Sequence, residues 1–200
     1  MKGVILAAGD GGRLRPLTLG APKVLMEIGG YPLIQYSLDA LRDAGISDVA
    51  VVVGYRARQV QEALEKRNPH LTFVYNERFL GGNAMSVYAA RGFVREEPFV
   101  LCMGDHPISP DIVRKLVTNR HPGCVLCIDP EAWLPSQISD GTRTLVDAAG
   151  HLMAIGKDLK VWNAIDTGVF KMTKDFFPSV EHLMMGSQGA DVSISEVARL

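Results

Sequence analysis

Short apolar runs alternate with amphipathic segments along the first two thirds of the chain. Five runs rich in Val, Ile and Leu predict β-strands at residues 2–6, 48–53, 71–75, 98–103 and 123–128. These runs are nearly continuous in apolar residues, which is typical of parallel strands covered on both faces. The pattern therefore predicts an open sheet with helices packed on either side.

Helix patterns fill the gaps between these strands. The predicted helices cover residues 32–44, 58–67, 84–91 and 110–119. Gly45 is a suitable C-terminal glycine for the first helix, and Asn83 is a candidate N-cap for the third. Strands that alternate with helices in this order favour right-handed βαβ units.

The pattern changes after residue 130. Residues 142–171 indicate shorter strands separated by turn signals, which favours an antiparallel segment. A further helix is predicted after Thr173. Ser193 and Glu196 have the spacing of a capping box at the start of the last helix.

Composition narrows the functional classes. The 200 residues carry a net charge of −1 and no polybasic stretch, so nucleic acid is not expected as a partner. The sequence has neither a run of eighteen apolar residues nor the apolar region of a signal peptide, so we expect no membrane span. Its three cysteines make no disulfide framework, which favours a cytoplasmic location. Cys124 and Cys127 form a CxxC inside an apolar run and are expected to be buried small residues.

A glycine-rich loop follows the first predicted strand. Residues 6–25 read LAAGDGGRLRPLTLGAPKVL. Gly9, Gly11 and Gly12 allow close backbone approach, and successive amides can bind anionic oxygens. Arg13 and Lys23 add positive charge, and arginine can bind phosphate in a bidentate manner. The loop matches neither a Walker A motif nor a complete Rossmann fingerprint.

The string LAAGxGxRL followed by Pro22-Lys23 resembles the signature of nucleotidyltransferases that join a nucleoside triphosphate to a phosphorylated sugar or polyol. The resemblance implies a Rossmann-like three-layer α/β/α fold with a mixed sheet, of the nucleotide-diphospho-sugar transferase type. It also implies that the turn backbone meets the nucleobase while the two cations hold phosphates. These roles fall on Ala7, Ala8, Gly9, Gly11, Arg13 and Lys23. Gly12 stands where many members carry Thr or Ser, and it keeps the backbone amide.

A second string, LCMGDH at residues 101–106, places a carboxylate just past an apolar strand. An aspartate there is well placed to hold Mg²⁺, although alone it is more often a turn former or a helix cap. Combined with the first loop, Asp105 resembles the metal aspartate of the family. For His106, binding a phosphate and donating to backbone are equally compatible with the sequence.

Further motifs point to the base and the acceptor. Gly82 and Asn83 resemble the family's second base- or ribose-reading loop. The combination of MGDH, IGKDL and IDTGVF resembles the cytidylyltransferases that charge inositol 1-phosphate in archaeal and bacterial lipid synthesis. That resemblance implies that Lys157 binds the acceptor phosphate or the nucleotide, and that Asp166 and Thr167 meet acceptor hydroxyls. Arg143 is a further candidate acceptor contact, or else a surface strand residue.

The implied reaction is attack of an acceptor phosphate on CTP with Mg²⁺ as cofactor, in a single domain over residues 1–200. Relatives usually continue to a W-x-D-x-D-T string whose aspartate completes the metal site, and this sequence ends before it. Three interpretations stay open: Asp166 takes that role, the chain is truncated, or the protein does not catalyse. Other substrates also stay open: a sugar 1-phosphate, a phosphocholine-type compound or the molybdenum cofactor as acceptor, and UTP, dTTP or GTP as donor. A non-catalytic nucleotide-binding module is the alternative of another class, and a homodimer is compatible with the sequence.

Overall fold

The described strands form a mixed sheet in the computed structural model, which describes residues 1–11, 20–132, 134–186 and 191–199. Eight strands form it, and their bounds are β1 Lys2–Ala7, β4 Val49–Val53, β5 Thr72–Tyr75, β6 Phe99–Met103, β7 Val125–Asp129, β8 Arg143–Val146, β9 Leu152–Gly156 and β10 Ala164–Met172. Seven of them follow the order β5-β4-β1-β6-β10-β8-β9, and β7 pairs with β10. A separate small hairpin joins β2 Glu27–Ile28 to β3 Tyr31–Pro32.

Helices cover both faces of this sheet. Their bounds are α1 Leu33–Asp43, α2 Ala57–Glu65, α3 Asn83–Ala89, α4 Arg91–Val94, α5 Pro110–Thr118, α6 Pro135–Asp140, α7 Phe176–Gly186 and α8 Ile194–Val197. No helix among the described residues is long and apolar enough to cross a membrane.

Strand β1 shows how the sheet separates two cores. Side chains alternate between the faces of a strand, so Val4 and Leu6 pack with α3, α7 and α8. Ile5 and Ala7 face the other way and pack with α1, α2 and α5. All four side chains are at most 9% exposed. The buried strand that the sequence predicts is therefore the centre of a three-layer fold, because both of its faces are covered.

The sheet has a parallel half and an antiparallel half. Strands β5, β4, β1 and β6 are parallel to one another. Strand β10 runs antiparallel to β6, β7 and β8, and β9 runs antiparallel to β8. The five predicted strands and the main predicted helices are confirmed to within a few residues.

Three expectations about local structure are wrong. The strand predicted at 123–128 is antiparallel and partly exposed, because β7 pairs with β10 and no helix buries it fully. Within the same segment Cys124 is exposed rather than buried. The antiparallel segment predicted at 142–171 is present, but its strands are not all short, since β10 is nine residues long and pairs directly with β6. The short helices α4 and α6 have no clear periodic signal in the sequence.

Candidate active site

A cleft of about 1020 Å³ opens where the parallel strands end. In α/β sheets, ligands bind outside the carboxyl ends of the strands, so this is the position that the fold favours for a site. The cleft brings together nine residues that the sequence analysis selects for substrate or metal binding, and these are Ala7, Ala8, Gly9, Gly11, Lys23, Gly82, Asn83, Asp105 and Lys157. His106 also lines it.

The turn after β1 forms one wall of the cleft. It is tied to the neighbouring strand ends, because Tyr55 N donates to Ala8 O at 3.0 Å and Gly104 N donates to Leu6 O at 2.9 Å. Gly11 adopts a left-handed φ of +62°, a conformation that glycine accommodates readily. Gly12 and Arg13, predicted to bind the nucleotide and its phosphates, lie outside the described residues.

An ion pair occupies the floor of the cleft. Lys23 Nζ donates to Asp105 Oδ2 at 2.7 Å, although the two residues are 82 positions apart in the sequence. About 30% of each side chain is exposed. Burial raises the pKa of Asp105, but the hydrogen bond from Lys23 and the charges of His106 and Lys23 outweigh it and leave the pKa below its ordinary value. Asp105 is therefore ionised at neutral pH and is held directly beside a cation.

The loop before α3 forms a second wall. Gly82, with φ +85°, is the N-cap residue, and Asn83 begins the helix, so the expectation that Asn83 caps it is wrong. Instead Asn83 Oδ1 accepts from Ile194 N at 2.8 Å. The amide of Ala84 donates to Val192 O at 3.1 Å and is not available to a ligand. The loop is thus fixed by the segment before α8, a contact that no local signal predicts.

The other residues that line the cleft include one predicted residue and two acidic residues that the sequence does not single out. Lys157 lines the cleft just after β9. Asp140, at the end of α6, and Asp191 line it as well. In the sequence Asp140 is part of an ordinary Asp-Gly turn, and Asp191 lies just before a predicted helix start and belongs to no motif. Neither could be singled out without knowing the fold.

Asp166 and Thr167 lie beside the cleft rather than among the residues that line it. They lie at an irregularity in β10, where the register with β7 shifts between Asp166 and Phe170. Thr167 Oγ1 donates to Cys127 O at 2.8 Å, and Asp166 Oδ1 accepts from Gly168 N at 2.7 Å. Burial raises the pKa of Asp166, an effect that the Gly168 amide and the charge of His106 only partly oppose. Both side chains are therefore engaged within the protein.

Arg143 is also absent from the cleft lining and contacts the loop that follows Lys157. Its Nη1 donates to Leu159 O at 3.1 Å, and its Cζ lies 5.8 Å from the centre of the Trp162 ring. Among the described residues, its buried Nε has no hydrogen-bond partner. These contacts make Arg143 an anchor for the loop.

The described side chains can be compared with the ligands that a bound metal ion needs. No group of three or more His, Cys, Asp or Glu residues that could hold a metal occurs in the part of the chain that the structure describes. Burial raises the pKa of Cys127 to about 11, so its thiol is protonated at neutral pH. Mg²⁺ often keeps several waters and uses one or two carboxylates together with substrate phosphates. Asp105 fits such an ion, which would arrive with a nucleotide, and the site does not fit a permanent protein cage.

Comparison with known proteins decides the family. Residues 3–190 match the family described as the MobA-like NTP transferase domain. The chain belongs to this family. The resemblance to nucleotidyltransferases drawn from residues 6–25 and 101–106 is therefore confirmed. The positions of Lys23 and Asp105 in one cleft are the positions that the resemblance predicts, while their roles in it stay predictions.

Several relatives of this NTP transferase domain are bifunctional proteins. The chain is 29% identical to the "Bifunctional IPC transferase and DIPP synthase" of Aquifex aeolicus, over 98% of this chain and 44% of that protein. The proteins of the same name from Rubrobacter xylanophilus and Archaeoglobus fulgidus are each 31% identical, over 98% and 100% of this chain and 43% and 38% of theirs. The chain thus spans about two fifths of the curated relatives it matches.

Solved structures confirm the fold class. The inositol-1-phosphate CTP transferase from T. maritima superposes with a TM-score of 0.88 at 28% identity, over 98% of this chain and 78% of that one. A UDP-glucose pyrophosphorylase complexed with UDP-glucose superposes with a TM-score of 0.79 at 19% identity, over 99% and 85% of the two chains. The second likeness concerns the fold alone. Together they agree with the predicted Rossmann-like mixed sheet of the nucleotide-diphospho-sugar transferase type.

Proposed function

We propose that this domain transfers a cytidylyl group from CTP to inositol 1-phosphate and releases pyrophosphate. One observation carries the proposal: the Lys23–Asp105 pair lies in the same cleft as the glycine turn, the Gly82–Asn83 loop and Lys157. The choice of CTP and inositol 1-phosphate is supported by the name of the T. maritima neighbour, at 28% identity. It is also supported by the IGKDL and IDTGVF strings.

The reaction needs no side-chain nucleophile. An oxygen of the acceptor phosphate forms a bond to the α-phosphorus of CTP, and the bond from that phosphorus to the bridging oxygen breaks. Pyrophosphate leaves with the electron pair. Because the acceptor phosphate is already anionic at neutral pH, catalysis rests on alignment and on neutralising charge.

Lys23 is the described cation best placed for that task. In the proposed mechanism it stabilises negative charge on the transferring phosphoryl group, since it projects into the cleft beside the glycine turn. Its pairing with Asp105 holds the ammonium group in place before substrate arrives. Arg13 is proposed to hold the departing phosphates, on the strength of the motif alone.

We propose Asp105 as the magnesium ligand and Lys157 as the acceptor contact. Mg²⁺ would supply further neutralisation of phosphate charge. Asp105 has one oxygen bonded to Lys23 and a second that faces His106, so a ligand position remains on the carboxylate. Asp166, Thr167 and Arg143 are proposed to shape the acceptor side through the strand and loop that they hold.

An activity screen with the purified 200-residue chain tests the proposal. CTP, UTP, dTTP and GTP are each combined with inositol 1-phosphate, glucose 1-phosphate, phosphocholine and the molybdopterin cofactor, and pyrophosphate release is measured with Mg²⁺ present. The expected result is the highest kcat/KM for CTP with inositol 1-phosphate. A higher value for another pair would replace the substrates but keep the reaction. Calorimetric binding of CTP without release from any pair would support a non-catalytic nucleotide-binding module instead.

A further inference from the structure

The imidazole ring of His106 is held between Asp105 and strand β10. Its Nε2 lies 3.9 Å from Asp105 Oδ1, beyond hydrogen-bonding distance. On its other side the ring packs against Gly168, where a Cβ would lie only 2.8 Å from Nδ1 and 2.9 Å from Met103 Cγ. About half of the side chain is exposed, and the residue lines the cleft. Nδ1 thus lies against strand β10, and Nε2 lies on the side of Asp105.

The backbone that carries His106 is fixed from below by a buried hydroxyl. Ser37 is fully buried on the face of α1 that also carries Ile34, Leu38 and Leu41. Its Oγ lies 3.1 Å from His106 O and 3.4 Å from Met103 O, and the hydroxyl donates to these carbonyls. A polar residue among core-facing apolar ones is costly unless it is hydrogen-bonded. Here its partners are the two ends of the turn that presents Asp105 and His106.

The sheet order tells which substrate His106 meets. Asp105 follows β6, which lies between β1 and β10. Lys23, which packs beside Gly11 of the glycine turn, donates to Asp105 Oδ2, whereas His106 lies near Asp105 Oδ1 and packs against Gly168 of β10. If the nucleotide occupies the side of the glycine turn, the other side is left for the acceptor.

We propose that His106 Nε2 binds the phosphate monoester of the acceptor, and that Gly168 and Ser37 are positioning residues for this histidine. The inference rests on the proposed function and goes further by naming the group that recognises the acceptor phosphate. In the described part of the chain, no protein atom forms a hydrogen bond with His106 Nε2, so this nitrogen can serve a ligand. Gly168 matters because any larger residue would push the ring out of place.

Binding can be tested without turnover. The ring signals of the five histidines are followed by NMR during titration with inorganic phosphate at constant pH, with sodium chloride as the ionic-strength control. His106 signals are assigned with the His106→Gln variant. We expect a saturable shift of His106 that persists when CTP is present in excess. A His106 shift no larger than that of the exposed His70 and His182 would overturn the proposal.

Kinetics gives a second test of the binding role of His106. His106→Ala should raise the KM for inositol 1-phosphate about tenfold or more, the range for a lost hydrogen bond to a charged group. The Kd for CTP should stay within about twofold. His106→Gln should recover part of the loss, because its amide nitrogen lies near the position of Nε2. An unchanged acceptor KM in His106→Ala would refute the inference.

A double-mutant cycle distinguishes an effect of Gly168 on the His106 ring from a general effect of backbone strain. Gly168→Ala should raise the acceptor KM in the wild-type background and add little in the His106→Ala background. Gly150→Ala is the matched control, since Gly150 also has a positive φ (+88°) but a methyl group added there would meet nothing within 4 Å. Additive effects on the acceptor KM in the cycle would refute the positioning role of Gly168. If Gly168→Ala does not fold, the His106 variants still decide the binding role.

The two proposals fail separately. Phosphate-dependent shifts of His106 in a chain that turns over no substrate pair would refute the proposed reaction and leave this inference standing. Normal turnover without a phosphate-dependent shift of the His106 signals would support the proposed reaction and refute this inference.

Discussion

The parallel and antiparallel halves of the sheet contribute to the cleft in different ways. On the parallel side, Lys23, Asp105 and the turn after β1 line the cleft directly. On the antiparallel side Lys157 lines it, whereas Asp166, Thr167 and Arg143 are hydrogen-bonded to Gly168, Cys127 and Leu159, which do not. Most of the predicted site residues that line the cleft therefore come from the parallel half, and most of those from the antiparallel half are engaged with the protein itself.

Topology explains this difference. Parallel strands have all their carboxyl ends at one edge of the sheet, so residues just past those ends meet in space. Antiparallel strands end at alternate edges, and the direction of a side chain depends on register. The irregularity in β10 between Asp166 and Phe170 changes that register within one strand. A motif in this half can therefore resemble that of an active site without lining the cleft.

The largest expected effect concerns the parallel half. Lys23→Ala should lower kcat by a hundredfold or more, a loss of about 3 kcal/mol of transition-state stabilisation on the scale of one removed oxyanion-hole donor. The KM for CTP should change far less. Steady-state pyrophosphate release measures both constants, and Lys66→Ala, an exposed lysine of α2's C-terminal end, is the matched control. A near-normal kcat in Lys23→Ala would contradict the role given to the parallel half.

The second-largest expected effect is a loss of stability in the loop before α3, which forms a wall of the cleft. Gly82→Ala should destabilise the fold by about 2 kcal/mol, because residue 82 has φ +85° and a Cβ there would lie 2.3 Å from Val192 O. Urea unfolding measures the free energy. Gly92→Ala, in α4, is the control, since a methyl there meets nothing within 4 Å and φ is not left-handed. Equal stability of the two variants would mean that the loop before α3 adapts freely.

Much of the parallel half could be predicted from the sequence. The alternation of strands and helices and the LAAGxGxRL and MGDH strings locate Asp105 at the end of a strand and Lys23 in the loop after β1, so their presence in one cleft follows from the fold class. Their direct contact does not follow, because it depends on side-chain positions 82 residues apart. The contact of Asn83 could not be predicted either. Its side-chain Oδ1 accepts a hydrogen bond from Ile194 N, 111 residues away, and not from its own helix.

The contacts made by the antiparallel half could not be predicted from the sequence, and the reason is physical. The interaction of Gly168 with His106 depends on β10 pairing beside β6 and on a local register shift, and neither has a signature in the sequence. The charge of Arg143 makes it a candidate acceptor contact in the sequence, whereas its hydrogen bond to Leu159 O has no signal there. These contacts join segments that are far apart in the sequence. Secondary-structure propensity and residue spacing describe only residues that are close together in the chain.

A smaller effect distinguishes anchoring from direct contact in this half. Arg143→Met should lower the free energy of unfolding by about 1 kcal/mol, the worth of a typical hydrogen bond, because Leu159 O loses its donor. It should also raise the acceptor KM a few-fold, on the order of 1 kcal/mol, with the KM for CTP unchanged. Arg143→Lys should not restore full function, since lysine lacks the planar fork. A raised acceptor KM with full stability would instead indicate that Arg143 contacts the acceptor.

The smallest effect is a pH dependence of stability at Asp166. Because burial raises its pKa in the folded state, the carboxyl group favours folding when protonated, and that contribution is lost as the pH rises through the folded-state pKa. Asp166→Asn removes this dependence and keeps an oxygen that can accept from Gly168 N. The variant should therefore gain stability relative to the wild type as the pH rises above the ordinary aspartate pKa of 3.8.

Asp147, on the same side of the sheet, provides a control of opposite sign. Hydrogen bonds from the backbone and ring of His151 lower its pKa, so its contribution to stability is present above the ordinary value and is lost as the pH falls through the folded-state pKa. Asp147→Asn should accordingly lose stability relative to the wild type as the pH rises. Urea unfolding of both variants across the acidic range compares the two slopes. Slopes of the same sign would mean that the folded state favours the charged form of Asp166, which would contradict a pKa raised by burial.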